Sequence, residues 1–593
     1  MPPLLRYLQR LFLSLLPLAA QQPQALSPLT APFQIQWELR IPMRDGVKLC
    51  ATVFRPANQR EPLPVILAMT PYTLSFTAEW GRFFAQNGYV FVSVDMRGRG
   101  DSEGSHTPMV RDSQDGYDTV EWLARQPWCN GKVGMTGLSY LGGTQWATAK
   151  LRPPHLATIL PVAAVHPGVD VPTLGGIHFV DTMDIVLRTS GRSRKGGGLG
   201  GDEYWDGMAH DFFRSGRPWR ELDRFFGLPS PVFQAWMRHP AQDAYWKAAT
   251  PTTEDYRKLD IPILTITGHY DDDQMGAMTY YRDHMHHGSP AAKDRHFLVI
   301  GPWDHLQTRT PALECEGVTF GKASLVDMNA LHKAWFDWTL KGGPKPAFLK
   351  QRVACYIQGE DAWRYADRLE GISQRVRKYF LHGPSAGARA GSLLENQPPA
   401  GGPQRLTHDP LDPTPLAWDQ KPSVGGLLVQ ADATLVVGRR QFHHEALSYL
   451  TEPFAETSTL CGSPSFSVWV RMTVPDEDFF VSLHEVKADG TSQQLGWDCL
   501  RARYRRSFEQ EHLVKPGEPT CLDFRRFPIV GRQMAKGSRL KLVFGALNLP
   551  WAQKNHHSGG HVADETPKVA RVAHVEVLNE DGHQAVLAVP LGR

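Results

Sequence analysis

Six short runs, apolar on both faces, constrain this chain most. They are 64–69 (PVILAM), 89–94 (YVFVSV), 132–135 (KVGM), 157–162 (ATILPV), 262–266 (PILTI) and 296–300 (HFLVI). A strand with no polar face must be covered on both sides, which a parallel sheet under helices provides. Helix-compatible stretches lie between the runs, as at 113–126 and 275–286. Alternation of this kind predicts a doubly wound α/β domain. An alternating segment at 34–42, the turn Asp45-Gly46 and a return at 47–54 predict an antiparallel hairpin ahead of it.

The series is interrupted between about 167 and 249 by a segment rich in Trp, Phe and Met, including Phe212, Trp219, Phe233 and Trp236. We read these aromatics as the core of a helical insert, placed to act as a lid. Its glycine run, Gly196 to Gly201, lacks the Lys-Ser/Thr of a phosphate-binding loop and reads as a mobile surface loop. Beyond Gly342-Gly343-Pro344 the runs become short and alternating, as at 465–472 and 540–544, with turn clusters between them. An all-β sandwich or jelly roll is predicted there.

Length and charge narrow the function. At 593 residues the chain has room for three or four domains. Its 64 basic and 61 acidic residues leave a net charge of +3 with no basic tract, so neither nucleic acid nor a membrane surface is an expected partner. No interior apolar span reaches membrane-crossing length, so stable membrane insertion is not expected. The seven cysteines form no CxxC pair and read as buried thiols. At the N-terminus, Arg6 and Arg10 precede a short apolar run, as in a secretory signal, but Leu18 stands where a small residue is wanted. A secreted or periplasmic location and a cytoplasmic one both remain open.

The chemistry centres on 134–143 (GMTGLSYLGG), where a buried-type strand gives way to a helix-compatible segment. A serine at a tight strand-to-helix turn between small residues is a nucleophile elbow, here with Ser139 as nucleophile. Its second glycine, Gly142, stands three residues on rather than two. Serine needs a base, and the base needs an orienting acid. Both are expected in the order acid then histidine at the ends of later strands. The run 262–266 leads to His269-Tyr270-Asp271-Asp272-Asp273, and 296–300 leads to Gly301-Pro302-Trp303-Asp304-His305. Order and position favour His305 over His269. The acid is Asp271, Asp272 or Asp273, and the residues alone do not choose among them. Spare carboxylates in this triplet could take a substrate amine. The N–H of Tyr140 and the hydroxyl of Tyr72 are the expected oxyanion donors. His284, His286 and His287 read as an exposed helix end, and His443-His444 and His556-His557 have no metal-ligand spacing.

Several of these segments together resemble the cocaine-esterase and Xaa-Pro dipeptidyl-peptidase (CocE/NonD) group of serine hydrolases. They are Thr70-Pro71-Tyr72, the loop 95–104 (DMRGRGDSEG), 137–142 (GLSYLG), His269-Tyr270-Asp271, and 301–305 (GPWDH). His239-Pro240 with 243–246 (DAYW), and 335–338 (WFDW), are similar to the family's cap-exit and hydrolase-exit sequences. The resemblance implies an α/β-hydrolase core (25–168 and 248–344), an inserted helical cap (169–247) and a C-terminal β jelly roll (345–593). Residues 1–24 are left as a signal peptide or N-terminal extension. It also implies a triad of Ser139, Asp271 and His305, with Tyr72 and Tyr140 forming the oxyanion hole. An acyl-enzyme would form without metal or organic cofactor. The implied substrate is a small ester or amide. Xaa-Pro dipeptidyl-peptidase and α-amino-acid ester hydrolase activities are alternatives, and a catalytically silent binding protein is the non-enzyme one. Relatives that hydrolyse amino-acid esters carry a carboxylate cluster for the ammonium. Asp273 could supply part of it, whereas Gln274 stands where a further acid is expected. Homo-oligomerisation is left open.

Overall fold

The computed structural model describes residues 32–192, 202–315, 317–373, 375–384, 390–413 and 446–592. The N-terminal segment read as a signal or extension, the glycine run from Gly196 to Gly201 and the pair His443-His444 lie outside these residues.

The wholly apolar runs become strands of one ten-stranded sheet. Its strands are β1 (Phe33–Pro42), β2 (Lys48–Pro56), β3 (Leu63–Thr70), β4 (Val90–Asp95), β5 (Cys129–Leu138), β6 (Leu156–Val162), β7 (Ile263–Tyr270), β8 (His296–Asp304), β9 (Val353–Ile357) and β10 (Ala362–Ala366). Their spatial order is β1-β2-β4-β3-β5-β6-β7-β8-β9-β10. The first two form the expected antiparallel hairpin. From β4 to β9 every neighbouring pair is parallel. This region needs both faces covered, and β3 and β7 are buried along almost their whole length. Helices α1 (Asp112–Ala124), α2 (Tyr140–Lys150), α3 (Gln274–His287) and α4 (Met328–Lys341) supply much of the cover. Helix α2 is buried nearly all round, as a helix at the centre of a packed core must be. Asp327 caps the start of α4, accepting from the Ala330 N–H at 2.9 Å, and Gly342 ends it at φ 71°.

The boundary expected at 344/345 follows this helix stop, and two strands beyond it pair onto the same sheet. Strand β9 pairs parallel with β8, and β10 pairs antiparallel with β9. The change in composition at 342–344 marks the end of a helix, not the end of the sheet.

The insert carries helices Asp181–Thr189, Asp202–Ser215, Leu222–Phe225, Pro231–Arg238 and Ala244–Lys247. Phe212, Trp219, Phe233, Trp236 and Trp246 are buried core, as read from the sequence. Part of that core is supplied by the C-terminal domain, through Phe480, Val543 and Trp551. The turn Gly175-Gly176 presses on the same domain. A Cβ on Gly175 would strike the carbonyl of Cys499, and one on Gly176 the ring of Tyr504. The insert is thus clamped between two layers.

The C-terminal residues build a thirteen-stranded β system. Its strand Ser465–Met472 alternates buried and half-buried residues, as a strand with one face on a core should. The fold is an α/β-hydrolase core joined to a β-rich, jelly-roll-like domain. All seven cysteines are free thiols and six are buried. His284 departs from its reading as part of an exposed helix end. It is fully buried, with Nδ1 2.9 Å from Nδ1 of His296, because α3 lays that face on the sheet. Among the described residues no helix is long and apolar enough to cross a membrane.

Candidate active site

Ser139 lies between β5 and α2 with φ 65° and ψ −124°. A non-glycine residue in that region is strained, and such strain gathers at functional turns. The turn is held by Ser139 N–H donating to the Val162 carbonyl at 3.0 Å. The Ser139 carbonyl accepts from Gly142 N–H at 2.7 Å and Gly143 N–H at 3.1 Å. Gly142 is required by close approach, since a Cβ there would stand 2.8 Å from Cα of Ala164. Its position three after the serine is where α2 crosses the end of β6.

The parallel strands deliver the other groups to the same edge. Asp271 follows β7 and His305 follows β8. His305 Nδ1 is 2.9 Å from Asp271 Oδ1, 3.2 Å from Asp272 Oδ1 and 3.7 Å from Asp273 Oδ2. Asp271 makes the shortest contact and is fully buried, while Asp272 is 45% exposed. Asp271 is also fixed from behind. Its Oδ2 accepts from the Thr267 hydroxyl at 2.7 Å, and its Oδ1 from the Asp273 N–H at 3.1 Å. The Ser139 hydroxyl donates to Asp273 Oδ2 at 3.4 Å. Asp273 thus contacts both the serine hydroxyl and the imidazole.

Tyr140 is the first residue of α2, so its N–H has no intrahelical acceptor. Its buried phenol accepts from the Met109 N–H at 2.7 Å. Tyr72 follows β3, and its ring meets that of Tyr140 edge-on at 6.4 Å. The Arg-Gly loop supports this wall. Arg99 is fully buried and donates to the carbonyls of Pro71 (2.8 Å), Ser190 (2.6 Å), Arg188 (2.9 Å) and Gly191. It ties the Tyr72 turn to the insert.

Tyr72, Ser139, Tyr140, Asp271, Asp273 and His305 all line one cavity of about 300 Å³. The insert and the C-terminal domain close it, through residues such as Phe179, Ile185, Leu495 and Trp497. Its electrostatics follow from crowding of carboxyl groups. Burial opposes the charged form of His305, but Asp272, Asp271 and Asp273 outweigh burial and hold it well above its ordinary value. Burial and mutual repulsion push Asp273 well above the usual carboxylate range.

Two lining residues escaped the sequence reading. Asp170 follows β6, and burial drives its carboxyl well up. Its Oδ1 accepts from His166 N–H at 2.8 Å, and its Oδ2 is buried with no hydrogen-bond partner among the described residues. An acid beyond a strand's carboxyl end was a usable signal for it. Arg526 reaches the cavity from the C-terminal domain, and nothing local in the sequence marks it. Gln274 is a bridge between domains: its amide donates to Gly268 O at 2.7 Å, and its Oε1 accepts from Ile529 N–H at 2.6 Å. Among the described residues two groups could surround a cation, Asp271 with Asp272 and His305, and His408 with Glu477 and His557.

Sheet order, the strained serine turn and the acid and histidine at later strand ends define an α/β-hydrolase with a β-rich C-terminal domain. Comparison with known proteins carries this further. The family model for X-Pro dipeptidyl-peptidase (S15 family) matches residues 45–307, and that for the X-Pro dipeptidyl-peptidase C-terminal non-catalytic domain matches 348–583. The chain belongs to the CocE/NonD family of cocaine esterases and X-Pro dipeptidyl-peptidases, and is a serine hydrolase of the esterase or peptidase type. It is 26% identical over 600 residues to the cocaine esterase of Rhodococcus sp. (strain MB1 Bresler), covering 94% of this chain and 99% of that one. Its fold is shared by an aminopeptidase from a marine-sediment Thaumarchaeota archaeon (TM-score 0.80, 21% identity, 96% of this chain and 98% of that one). An α-amino acid ester hydrolase is equally similar in fold (TM-score 0.80, 22% identity, 98% and 100%).

Proposed function

We propose that the protein hydrolyses esters or amides of small acyl substrates, with Ser139 as nucleophile, His305 as general base and Asp271 as its orienting acid. The observation that carries this is the strained Ser139 in one cavity with an imidazole whose Nδ1 is 2.9 Å from a buried, twice hydrogen-bonded carboxylate. In this reading Ser139 Oγ attacks the acyl carbon and its proton passes to His305 Nε2. Asp271 holds Nδ1–H and stabilises the imidazolium. The oxyanion takes hydrogen bonds from Tyr140 N–H and the Tyr72 hydroxyl. Collapse expels the leaving group, which takes the proton from His305, and water then hydrolyses the acyl-enzyme by the same route. No step calls for a metal or organic cofactor. Residues 169–247 serve as the cap and 345–593 as the C-terminal β domain, whose first two strands, β9 and β10, extend the hydrolase sheet.

A finer reading concerns an amine on the substrate. Asp273 and Asp170 line the cavity and are pushed toward their neutral forms, a state that an arriving ammonium would reverse. An amine-bearing acyl group, as on an amino-acid ester or a peptide N-terminus, fits this wall. Names of relatives in both classes support the range.

Fluorophosphonate labelling of wild type and Ser139→Ala tests the assignment, alongside turnover of acyl p-nitrophenyl esters and Xaa-Pro-p-nitroanilides. Labelling lost with Ser139 and preferred ester cleavage are expected. Preferred anilide cleavage would make the enzyme a dipeptidyl-peptidase. Ester cleavage retained by Ser139→Ala would refute the nucleophile, and no labelling at all would favour the silent binding protein.

A further inference from the structure

Among the described residues, one arginine lining the cavity has no ion-pair partner. Arg526 lies in the segment between the strands Thr520–Phe524 and Val530–Met534 of the C-terminal domain and lines the cavity opposite the hydrolase strands. It is built in place. Its main-chain N–H donates to Asp498 Oδ2 at 2.8 Å, and its guanidinium lies 3.5 Å from the centre of the Phe508 ring. This cation–π contact holds the guanidinium against the ring and leaves its N–H groups for another partner. Among the described residues no carboxylate or carbonyl accepts from those edges. Three other arginines nearby each have a carboxylate partner: Arg188 is 2.6 Å from Asp184, Arg501 2.8 Å from Asp478 and Arg503 2.7 Å from Asp476. The acids that face Arg526 do not fully offset it either. Burial lifts Asp498 to about 7 and Asp170 well above the carboxylate range, and burial pulls Arg526 itself down. A half-buried guanidinium without a counter-ion carries a desolvation cost that a bound anion offsets.

We propose that Arg526 is a recognition group for a carboxylate on the substrate, so that the preferred substrates are esters or amides carrying a free carboxylate. This rests on the hydrolase reading above and deepens it, because the C-terminal domain then selects what the hydrolase strands cleave. A planar guanidinium suits two parallel hydrogen bonds to a carboxylate. Loss of one such charge-assisted contact corresponds to about 10- to 100-fold in affinity.

The test uses the full-length enzyme and matched pairs. On the acyl side, p-nitrophenyl hydrogen glutarate is compared with p-nitrophenyl valerate. On the leaving-group side, 4-acetoxybenzoate is compared with its methyl ester. Wild type should favour the carboxylate member of one pair in kcat/KM. Arg526→Ala should lower that preference at least about tenfold through KM. Arg526→Lys should restore part of it, and Arg526→Glu should reverse it. In parallel, protection against thermal unfolding by glutarate should be lost in Arg526→Ala. No preference in either pair, or a preference and a glutarate effect that Arg526→Ala leaves intact, would overturn the proposal. The two readings fail separately. Ser139 labelled by fluorophosphonate with a ratio insensitive to Arg526 sinks only this one. Absent hydrolysis with glutarate protection that depends on Arg526 sinks only the hydrolase reading.

Discussion

The crowding around His305 makes a signed prediction. Replacing Asp273 by Asn removes a carboxylate 3.7 Å from His305 Nδ1. Two unit charges at that distance interact by about 4.5 kcal/mol at an effective dielectric of 20, and by about 1 kcal/mol in bulk water. At about 1.4 kcal/mol per pH unit, that is between about 1 and 3 units of pKa. The side chains are 21% and 11% exposed, so cavity water screens them. Burial also pushes the Asp273 carboxyl well up, which favours its neutral form. The low end, about one unit, is therefore expected. The sign is fixed by the chemistry. Neutral His305 is the base, so the rate falls as pH drops through its raised pKa. Removing a negative neighbour lowers that pKa and moves the acid limb of kcat/KM to lower pH. The assay is a pH profile of kcat/KM on p-nitrophenyl butyrate, chosen because it has no ammonium or carboxylate of its own. A limb that stays put, or moves to higher pH, would refute the coupling.

Three further outcomes can be checked. Tyr72→Phe should lower kcat about 10²- to 10³-fold on a neutral ester with little change in KM; an unaltered kcat would remove the hydroxyl from the oxyanion hole. Ser139→Gly should be about 1 kcal/mol more stable than Ser139→Ala in urea unfolding, since only glycine relaxes at φ 65°; equal midpoints would mean the turn stores no strain. In the C-terminal domain, Glu477 is fully buried, with Nδ1 of His408 at 3.0 Å and Nε2 of His557 at 3.3 Å. Burial opposes charge on His557, but Glu477 raises it to about 9. Its contribution, on the order of 3 kcal/mol, is fully present below about pH 6.5 and is lost as pH rises through 9. The matching contribution of Glu477, held far below the carboxylate range, is lost on acidification. Unfolding midpoints between pH 6 and 10 should fall in wild type and flatten in Glu477→Gln, and identical slopes would refute the pairing.

The sheet was legible because a strand apolar on both faces has one kind of environment open to it. The runs at 64–69, 89–94 and 296–300 therefore predicted buried parallel strands, and β3, β4 and β8 are that. Ser139 was legible for a similar local reason, since the small residues around it permit the turn and are contiguous in the chain. The edge of the sheet was not legible. β9 and β10 lie beyond a genuine helix stop, and a stop in one element says nothing about where the next one pairs.

The residues alone left three aspartates equal, because Asp271, Asp272 and Asp273 differ by one position each. What separates them is depth. Thr267 and the turn's own backbone hold Asp271 inside, 2.9 Å from His305, while its neighbour at 3.2 Å faces outward. Arg526 and the pair of Glu477 with His557 were equally invisible as members of sites, and Asp170 had only its place beyond a strand's carboxyl end to mark it. Backbone conformation and one-sided burial are set by residues near in sequence, so the sequence determined the strand series, the insert and the strained serine. Charge coupling and cavity shape depend on distances between residues hundreds of positions apart. Only the tertiary structure decided which carboxylates crowd the imidazole, and which guanidinium from the C-terminal domain shares their cavity.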